Sequence, residues 1–271
     1  MEFKDSFQNL EYISNNIDLN DPSSYDQILH ILGGTIMSLN FVTLKKGAYL
    51  YRARPKKNDE KFSSKKDLGY RIDLENILDF GRANSPNQSL FYAAHTDKAA
   101  VFETSSLIRE NRADINIEYL TVGRWFVKNP IRLLAIITNQ EAILKNRELR
   151  HLAEIMRFDP INSNPETKRI LDYFSNEFAK NVKGDTNMYK ISAAFYNTIQ
   201  RNANGQCFGI MYPSVGFEHN DINVALLPET VDNNLILDMI GEYKIDFNTE
   251  PRSIIQIGLG DIKSFDMRYF L

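Results

Sequence analysis

Apolar positions in the first 40 residues recur at the three- and four-residue spacing of α-helices. The first of them are Phe7, Leu10, Ile13 and Ile17. The cluster Asn20-Asp21-Pro22 then interrupts the pattern, and Ser23 or Ser24 is a suitable N-cap for a second helix. We therefore predict an N-terminal helical segment over residues 1–40.

From residue 41 the pattern changes to alternation with β-branched and aromatic side chains, which is typical of strands. Residues 41–44 and 48–54 are predicted to form a strand pair or one bent strand that ends at Pro55. The charged stretch 56–66 is predicted to be a mobile loop. Further strands are predicted at 89–94, 115–127, 131–138, 207–212, 223–227, 235–245 and 254–257.

Helical patterns return after the third predicted strand. Thr96 or Asp97 is expected to cap a helix that reaches Leu107, and three longer helices are predicted at 141–158, 165–181 and 187–203. Because strands precede and follow this helical block without regular βαβ alternation, we predict the α+β class. The predicted organisation is a domain over 41–271 that carries a helical insertion at about 140–203.

Composition and charge exclude several classes of protein. The 271 residues are 43% hydrophobic with a formal net charge of −3, which favours a packed core and argues against a dedicated nucleic-acid binder. Residues 1–20 contain no apolar signal region, and no apolar run approaches the length of a membrane span. We expect a cytoplasmic protein with no direct contact to nucleic acid or membrane.

Metal and thiol chemistry have little support in the sequence. The single cysteine, Cys207, excludes an intramolecular disulfide and a Cys-rich zinc site, and we interpret it as a buried structural thiol. The four histidines are scattered, with no His-Glu-x-x-His run, so no metal is expected. The charged run Arg147–His151 is interpreted as one face of a helix.

Four short segments combine chemistry-bearing residues with strand or turn patterns. They are Leu50-Tyr51-Arg52-Ala53-Arg54, then Phe80-Gly81-Arg82-Ala83-Asn84, then Leu90-Phe91-Tyr92-Ala93-Ala94 followed by Glu103, and finally Tyr212-Pro213-Ser214 followed by Asn223. In this order they resemble the RES domain, which is named for its arginine, glutamate and serine. The resemblance extends from residue 50 to about 227, and it departs after Arg82, where the family usually has Trp-Asn and this chain has Ala83-Asn84.

The resemblance implies an ADP-ribosyltransferase-like fold with a mixed β core that uses NAD as its substrate. Members of the family break the nicotinamide–ribose bond by phosphorolysis or hydrolysis, or transfer ADP-ribose to a protein. A RES domain is typically the toxin of a toxin–antitoxin pair whose antitoxin carries an Xre-type helix-turn-helix. The alternatives left open are the acceptor of the ribosyl group, a non-catalytic interaction module, the presence of an antitoxin partner, and the oligomeric state.

The same resemblance implies roles for individual side chains. Arg52 is predicted to hold the anionic pyrophosphate of NAD through its guanidinium fork, with Arg82 as the second choice. Arg54 is interpreted as a surface charge or salt-bridge residue that points the other way along the strand, and whether Arg54 or Arg82 assists Arg52 is left open.

Glu103 is predicted to hydrogen-bond a ribose hydroxyl and to stabilise positive charge as the glycosidic bond breaks. Tyr92 would stack against nicotinamide, Ser214 would fix a hydroxyl or the carboxamide, and Asn223 would be a polar anchor. The predicted catalytic residues are therefore Glu103, Arg52 and Ser214, and the predicted NAD-binding residues are Arg52, Arg82, Tyr92 and Asn223. Four of them also have a structural interpretation. Glu103 would be a solvated helix glutamate, Tyr92 a core tyrosine, Ser214 a turn serine and Asn223 a loop asparagine.

Overall fold

Ten strands form one mixed sheet in the computed structural model, which describes residues 6–35, 39–56, 60, 62–110, 116–157, 164–203, 205–249 and 253–270. The strands are β1 (Phe41–Leu44), β2 (Tyr49–Pro55), β3 (Phe91–Ala94), β4 (Ile117–Val127), β5 (Ile131–Ala135), β6 (Gly209–Pro213), β7 (Ile222–Leu226), β8 (Leu235–Asp246), β9 (Ser253–Gly260) and β10 (Met267–Tyr269). The helices in these ranges are α1 (Ser6–Asn16), α2 (Ser24–Gly33), α3 (Asp97–Thr104), α4 (Ser106–Glu110), α5 (Gln140–Lys145), α6 (Arg147–Arg157), α7 (Pro165–Ala179), α8 (Lys190–Asn202) and α9 (Pro228–Asn234).

The strand order is β1-β5-β6-β7-β3-β2-β4-β8-β9-β10, which confirms the predicted α+β class. Neighbouring strands are antiparallel except for β5 and β6, which are parallel. Parallel neighbours need a long crossover connection, and here the crossover contains α5 to α8. The predicted helical insertion is thus the connection that makes this one parallel pair feasible.

The predicted pairing of the first two strands is wrong. Strand β1 pairs with β5, and β2 pairs along its whole length with β4, from Tyr49 opposite Phe126 to Pro55 opposite Leu120. The alternation of apolar residues identified both strands. It does not carry the identity of the partner, which depends on residues more than 60 positions away.

Two predicted helices are each divided in the structure. The helix expected at 141–158 is interrupted at Asn146, whose Oδ1 accepts from the backbone N–H groups of Glu148 and Leu149 and so caps α6. The helix expected to reach Leu107 is interrupted at Ser105, which has an extended backbone. Residues 115 and 158, at the ends of two predicted elements, lie outside the described residues, as do 57–59 and 61 of the predicted loop. The short elements α9 and β10 were not predicted.

The N-terminal helices and the helical insertion share one apolar core. Leu10 and Ile28, from α1 and α2, are fully buried in the same cluster as Phe174 of α7 and Phe195 of α8. The buried Lys190 ammonium adds a polar tie, because it donates to the carbonyls of Leu19 and Asp21 and to the hydroxyl of Ser24. Both helices of the predicted segment 1–40 are therefore packed against the insertion on one side of the sheet.

Within the ranges that the structure describes, every helix is too short or too polar to cross a bilayer.

Candidate functional site

A cleft of about 1150 Å³ opens beside β2, β3 and α3. Its walls also include the 80–82 turn and part of the segment 181–189, which belongs to the helical insertion. The charged residues along it are Arg52, Arg54, Arg82, Glu103, Arg109, Lys183 and Glu218. Positive charge therefore predominates, and the cleft suits an anionic ligand.

Glu103 is held by three donors on a single carboxylate oxygen. Its Oε1 accepts from Ser214 Oγ at 2.7 Å, Asn223 Nδ2 at 2.7 Å and the backbone N–H of Gly216 at 2.9 Å. Among the described residues no group donates to Oε2. One oxygen thus fixes the carboxylate in place while the other remains free to interact with a ligand in the cleft.

The helix that carries Glu103 is anchored at its N-terminus. Thr96 is the N-cap of α3 and accepts from the N–H of Ala99, as predicted. The nearly buried carboxylate of Asp221 accepts in turn from the backbone N–H of Thr96 at 3.0 Å and from its hydroxyl. Because Asp221 lies on the same chain segment as Ser214 and Asn223, it ties the helix to the groups that hold Glu103.

The close approach of Glu103 to residues 214–216 depends on a glycine. A Cβ at Gly216 would lie 2.9 Å from Glu103 Oε2 and 3.0 Å from its Cα. Real side chains do not tolerate such distances, so only glycine allows the N–H of this residue to reach the carboxylate.

Ser214 lies behind the carboxylate rather than at the surface of the cleft. Its side chain is fully buried, and its hydroxyl donates to Glu103 and accepts weakly from Phe217 N–H at 3.3 Å. In this structure it contacts Glu103 and is not exposed to a ligand. Asn223 is also largely buried but lines the cleft.

Arg52 occupies the line along which β2 and β3 diverge. These two strands pair only through Tyr51 and Ala94, and Arg52 Nη1 donates to the carbonyl of Tyr92 at 2.7 Å. Burial, with Arg54 nearby, lowers the pKa of Arg52 to about 9, so the group stays charged at neutral pH. Among the described residues no carboxylate lies within ion-pair distance of it.

The expectation for Arg54 is wrong. Residues i and i+2 of a strand point to the same face, and Arg54 lines the same cleft as Arg52. Burial lowers the pKa of Arg54, with a further contribution from the positive charge of Arg71. Among the described residues it forms no hydrogen bond or ion pair.

Arg82 also lines the cleft, but part of its guanidinium is bound by other residues of the protein. Its Nη1 donates to the carbonyl of Phe178 at 2.7 Å, in the last turn of α7, where helix carbonyls lack intrahelical partners. The guanidinium carbon lies 4.9 Å from the centre of the Tyr189 ring. Both contacts join the 80–82 turn to the helical insertion.

Tyr92 holds the same turn through its hydroxyl, which donates to Asn84 Oδ1 at 2.7 Å and accepts from the N–H of Ala83 at 3.0 Å. Burial raises the pKa of Tyr92 well above its ordinary value. Ala83, which stands where the family usually has tryptophan, is fully buried. The stacking role of Tyr92 stays a prediction.

The cleft therefore brings together Arg52, Arg82, Tyr92, Glu103 and Asn223, with Ser214 in hydrogen-bond contact behind Glu103. Gly216 and Asp221 were not predicted from the sequence, and Arg54 was predicted to point away from the side of the strand that carries Arg52. The alternation rule would have found Arg54; nothing local in the sequence marked the other two. In the described part of the chain, no group of His, Cys, Asp and Glu side chains could hold a metal ion.

Comparison with known proteins gives one positive result. No curated protein matches the chain. The RES domain family matches residues 49–246, from the first residue of β2 to the last residue of β8. The matched range includes all six predicted site residues and the helical insertion, and it leaves α1, α2, β1, β9 and β10 outside. Since it covers more than half of the 271 residues, this chain belongs to the RES domain family.

Proposed function

We propose that this protein is an enzyme that consumes NAD by cleaving the bond between nicotinamide and ribose. The observation that carries the proposal is the arrangement of Glu103 in a cleft lined by arginines: Oε1 accepts from three donors, and Oε2 has no donor among the residues that the structure describes. A fixed carboxylate suits a reaction that develops positive charge, and guanidinium groups suit a dinucleotide diphosphate. An ADP-ribosyltransferase-like arrangement of the β core is part of the proposal.

The chemistry follows from the bond that breaks. Cleavage leaves the bonding electron pair on nicotinamide, which departs as a neutral ring, and an oxocarbenium-like ribose remains. Glu103 Oε2 would accept a hydrogen bond from a ribose hydroxyl and oppose the new positive charge. An oxygen of phosphate or water then forms the new bond to the anomeric carbon, and its proton passes to solvent or buffer.

The surrounding side chains support this reaction in different ways. Ser214 and Asn223 would keep Glu103 oriented, so that little reorganisation is needed when charge develops. Arg52 would hold the diphosphate, and Tyr92 would complete the wall beside it. We further propose that loss of NAD inhibits growth, and that an Xre-type antitoxin protein is the natural partner.

The direct test is release of nicotinamide from NAD by purified protein, with and without phosphate, compared with Glu103→Gln. Glutamine keeps the shape and one oxygen acceptor but removes the negative charge, so we expect turnover to fall by at least about 100-fold. Glu218→Gln removes a charge of the same sign from the exposed rim and is expected to change turnover by less than about threefold.

The result also identifies the acceptor. Release that requires phosphate indicates a phosphorylase, and release without phosphate indicates a glycohydrolase. Absence of release in both buffers, with labelled ADP-ribose found on a protein, would replace cleavage by transfer. Full activity of Glu103→Gln would refute the role of this carboxylate.

A further inference from the structure

Two arginines of strand β2 face the cleft, and neither forms an ion pair with an acidic residue that the structure describes. Arg52 and Arg54 are two residues apart, which places their Cα atoms about 7 Å from each other on one face of the strand. Burial lowers the pKa of both arginines, and the positive charge of Arg54 lowers the pKa of Arg52 further. Placing two like charges together and partly out of water is unfavourable for the free protein.

Two of the acidic side chains that act on Arg54 bind other groups. Asp73 binds Arg71 through two hydrogen bonds, at 3.1 and 2.7 Å. Asp67 accepts from the backbone N–H groups of Ser63 and Ser64 and so stabilises a helical turn. The carboxylates of Asp73, Glu60 and Asp67 thus favour the charged form of Arg54 only from a distance, and among the described residues none of them forms an ion pair or a hydrogen bond with it.

Arg82 differs from Arg54 in this respect. Its Nη1 is bound to the Phe178 carbonyl and its guanidinium lies over Tyr189. These contacts connect two parts of the protein, and they use the guanidinium that the sequence analysis assigned to the diphosphate.

We propose that Arg54 is the second diphosphate-binding residue beside Arg52, and that Arg82 is a positioning residue that holds the helical insertion against the cleft. This inference rests on the proposed function, since it assigns the diphosphate of the same substrate. The ligand class that follows is a nucleoside diphosphate, bound along β2 rather than at the 80–82 turn. The pair matches a group with two adjacent negative charges, and charge-assisted hydrogen bonds to it would offset the unfavourable placement of both arginines.

The test measures binding, so that it does not depend on turnover. The probes are ADP-ribose and inorganic pyrophosphate, titrated by calorimetry into wild type, Arg54→Gln, Arg82→Gln and Arg201→Gln. Arg201 is exposed at the end of α8 and serves as the matched loss of one positive charge. We expect Arg54→Gln to weaken ADP-ribose binding about 10- to 100-fold, with partial recovery in Arg54→Lys. Arg201→Gln is expected to bind within twofold of wild type.

Thermal unfolding of the free proteins separates the two roles. Removing a partly buried charge that has no ion-pair partner among the described residues should raise the melting temperature of Arg54→Gln, whereas losing the bond to α7 should lower that of Arg82→Gln. A residue with only a structural role would not combine higher stability with weaker binding. That opposite pair of changes is the expected signature of Arg54.

Two results would overturn the inference. One is ADP-ribose binding by Arg54→Gln within twofold of wild type, and the other is an equal loss of binding in folded Arg82→Gln. Either leaves the proposed function intact if wild type still releases nicotinamide. Conversely, pyrophosphate binding that depends on Arg54 in a protein without NAD cleavage would support the inference and refute the function.

Discussion

Glu103 and Arg54 face the same cleft, but the protein treats their charges differently. The carboxylate of Glu103 has three donors on one oxygen, whereas Arg54 has no hydrogen-bond or ion-pair partner among the described residues. A group that must act on developing charge benefits from a fixed orientation. A group that binds an anion is better left uncompensated, because any internal partner would compete with the ligand. In the proposed function, the cleft would therefore have a reacting end at Glu103 and a binding end at Arg54.

The largest effect is expected from replacing the amide donor of Asn223 by a carboxylate. Asn223→Asp would place a second carboxylate at hydrogen-bond distance from Glu103, and two such groups cannot both remain charged at neutral pH. We expect NAD cleavage to fall by about 100-fold or more, with the acid limb of the pH–rate profile moved to higher pH. Asn220→Asp makes the same change at an exposed position and is the control. An unchanged profile would show that the Asn223 contact is not part of the reacting end.

A smaller but clear effect is expected from Gly216→Ala. The added Cβ would overlap Glu103 and displace either its carboxylate or residues 214–216, so we expect turnover to fall about 10- to 100-fold. Gly33→Ala, which meets nothing within 4 Å, controls for the substitution itself. Steady-state kinetics on both variants provide the measurement. Equal activities would mean that the position of Glu103 tolerates displacement.

Removing one of the three hydrogen-bond donors to Glu103 should have a weaker effect than Asn223→Asp or Gly216→Ala. Ser214→Ala leaves Glu103 with two donors, and we expect about a tenfold loss of turnover, since a hydrogen bond to a charged group contributes about 1.5–3 kcal/mol. The matched control is Ser175→Ala, another fully buried serine, whose hydroxyl accepts from Asn139 N–H far along the chain from the site. It should lose stability without losing turnover. If the two variants behave alike, Ser214 contributes only to folding.

The smallest effect is expected at His219, on the pH dependence of the free energy of unfolding. Its backbone N–H donates to the Ser214 carbonyl at 2.6 Å, and burial lowers the pKa of its imidazole below the ordinary value of about 6.5. The unfolded chain therefore binds a proton more readily, so this residue makes the free energy of unfolding decrease as pH falls below about 6.5. Urea unfolding between pH 7 and 5 should show a shallower decrease for His219→Gln. Parallel curves would rule out this contribution.

Local signals in the sequence predicted the elements that depend on neighbouring residues. Thr96 caps α3, and Pro165 lies in the first turn of α7, because both preferences arise within one helical turn. The breaks at Ser105 and Asn146 were not predicted, since the apolar spacing continues through both positions. Helical periodicity indicates which face of a helix is buried, but it does not indicate where the chain leaves one helix and begins another.

The candidate residues of the site could be predicted from the order of the motifs in the sequence. The contacts between those residues could not. Glu103 and Asn223 are 120 residues apart, and only the pairing of β3 with β7 and the bond between Asp221 and Thr96 bring their segments together. The burial of Ser214 behind Glu103 is a consequence of that assembly.

The amino-acid sequence by itself determined the positions of most helices and strands, the α+β class and the residues that identify the RES domain. Only the tertiary structure decided the partners of β1 and β2, the three donors on Glu103 and the place of Arg54 in the cleft. The physical reason is that propensity and periodicity act over a few residues. Strand pairing, burial and the compensation of charge depend on segments that are distant in the chain and meet only in the folded protein.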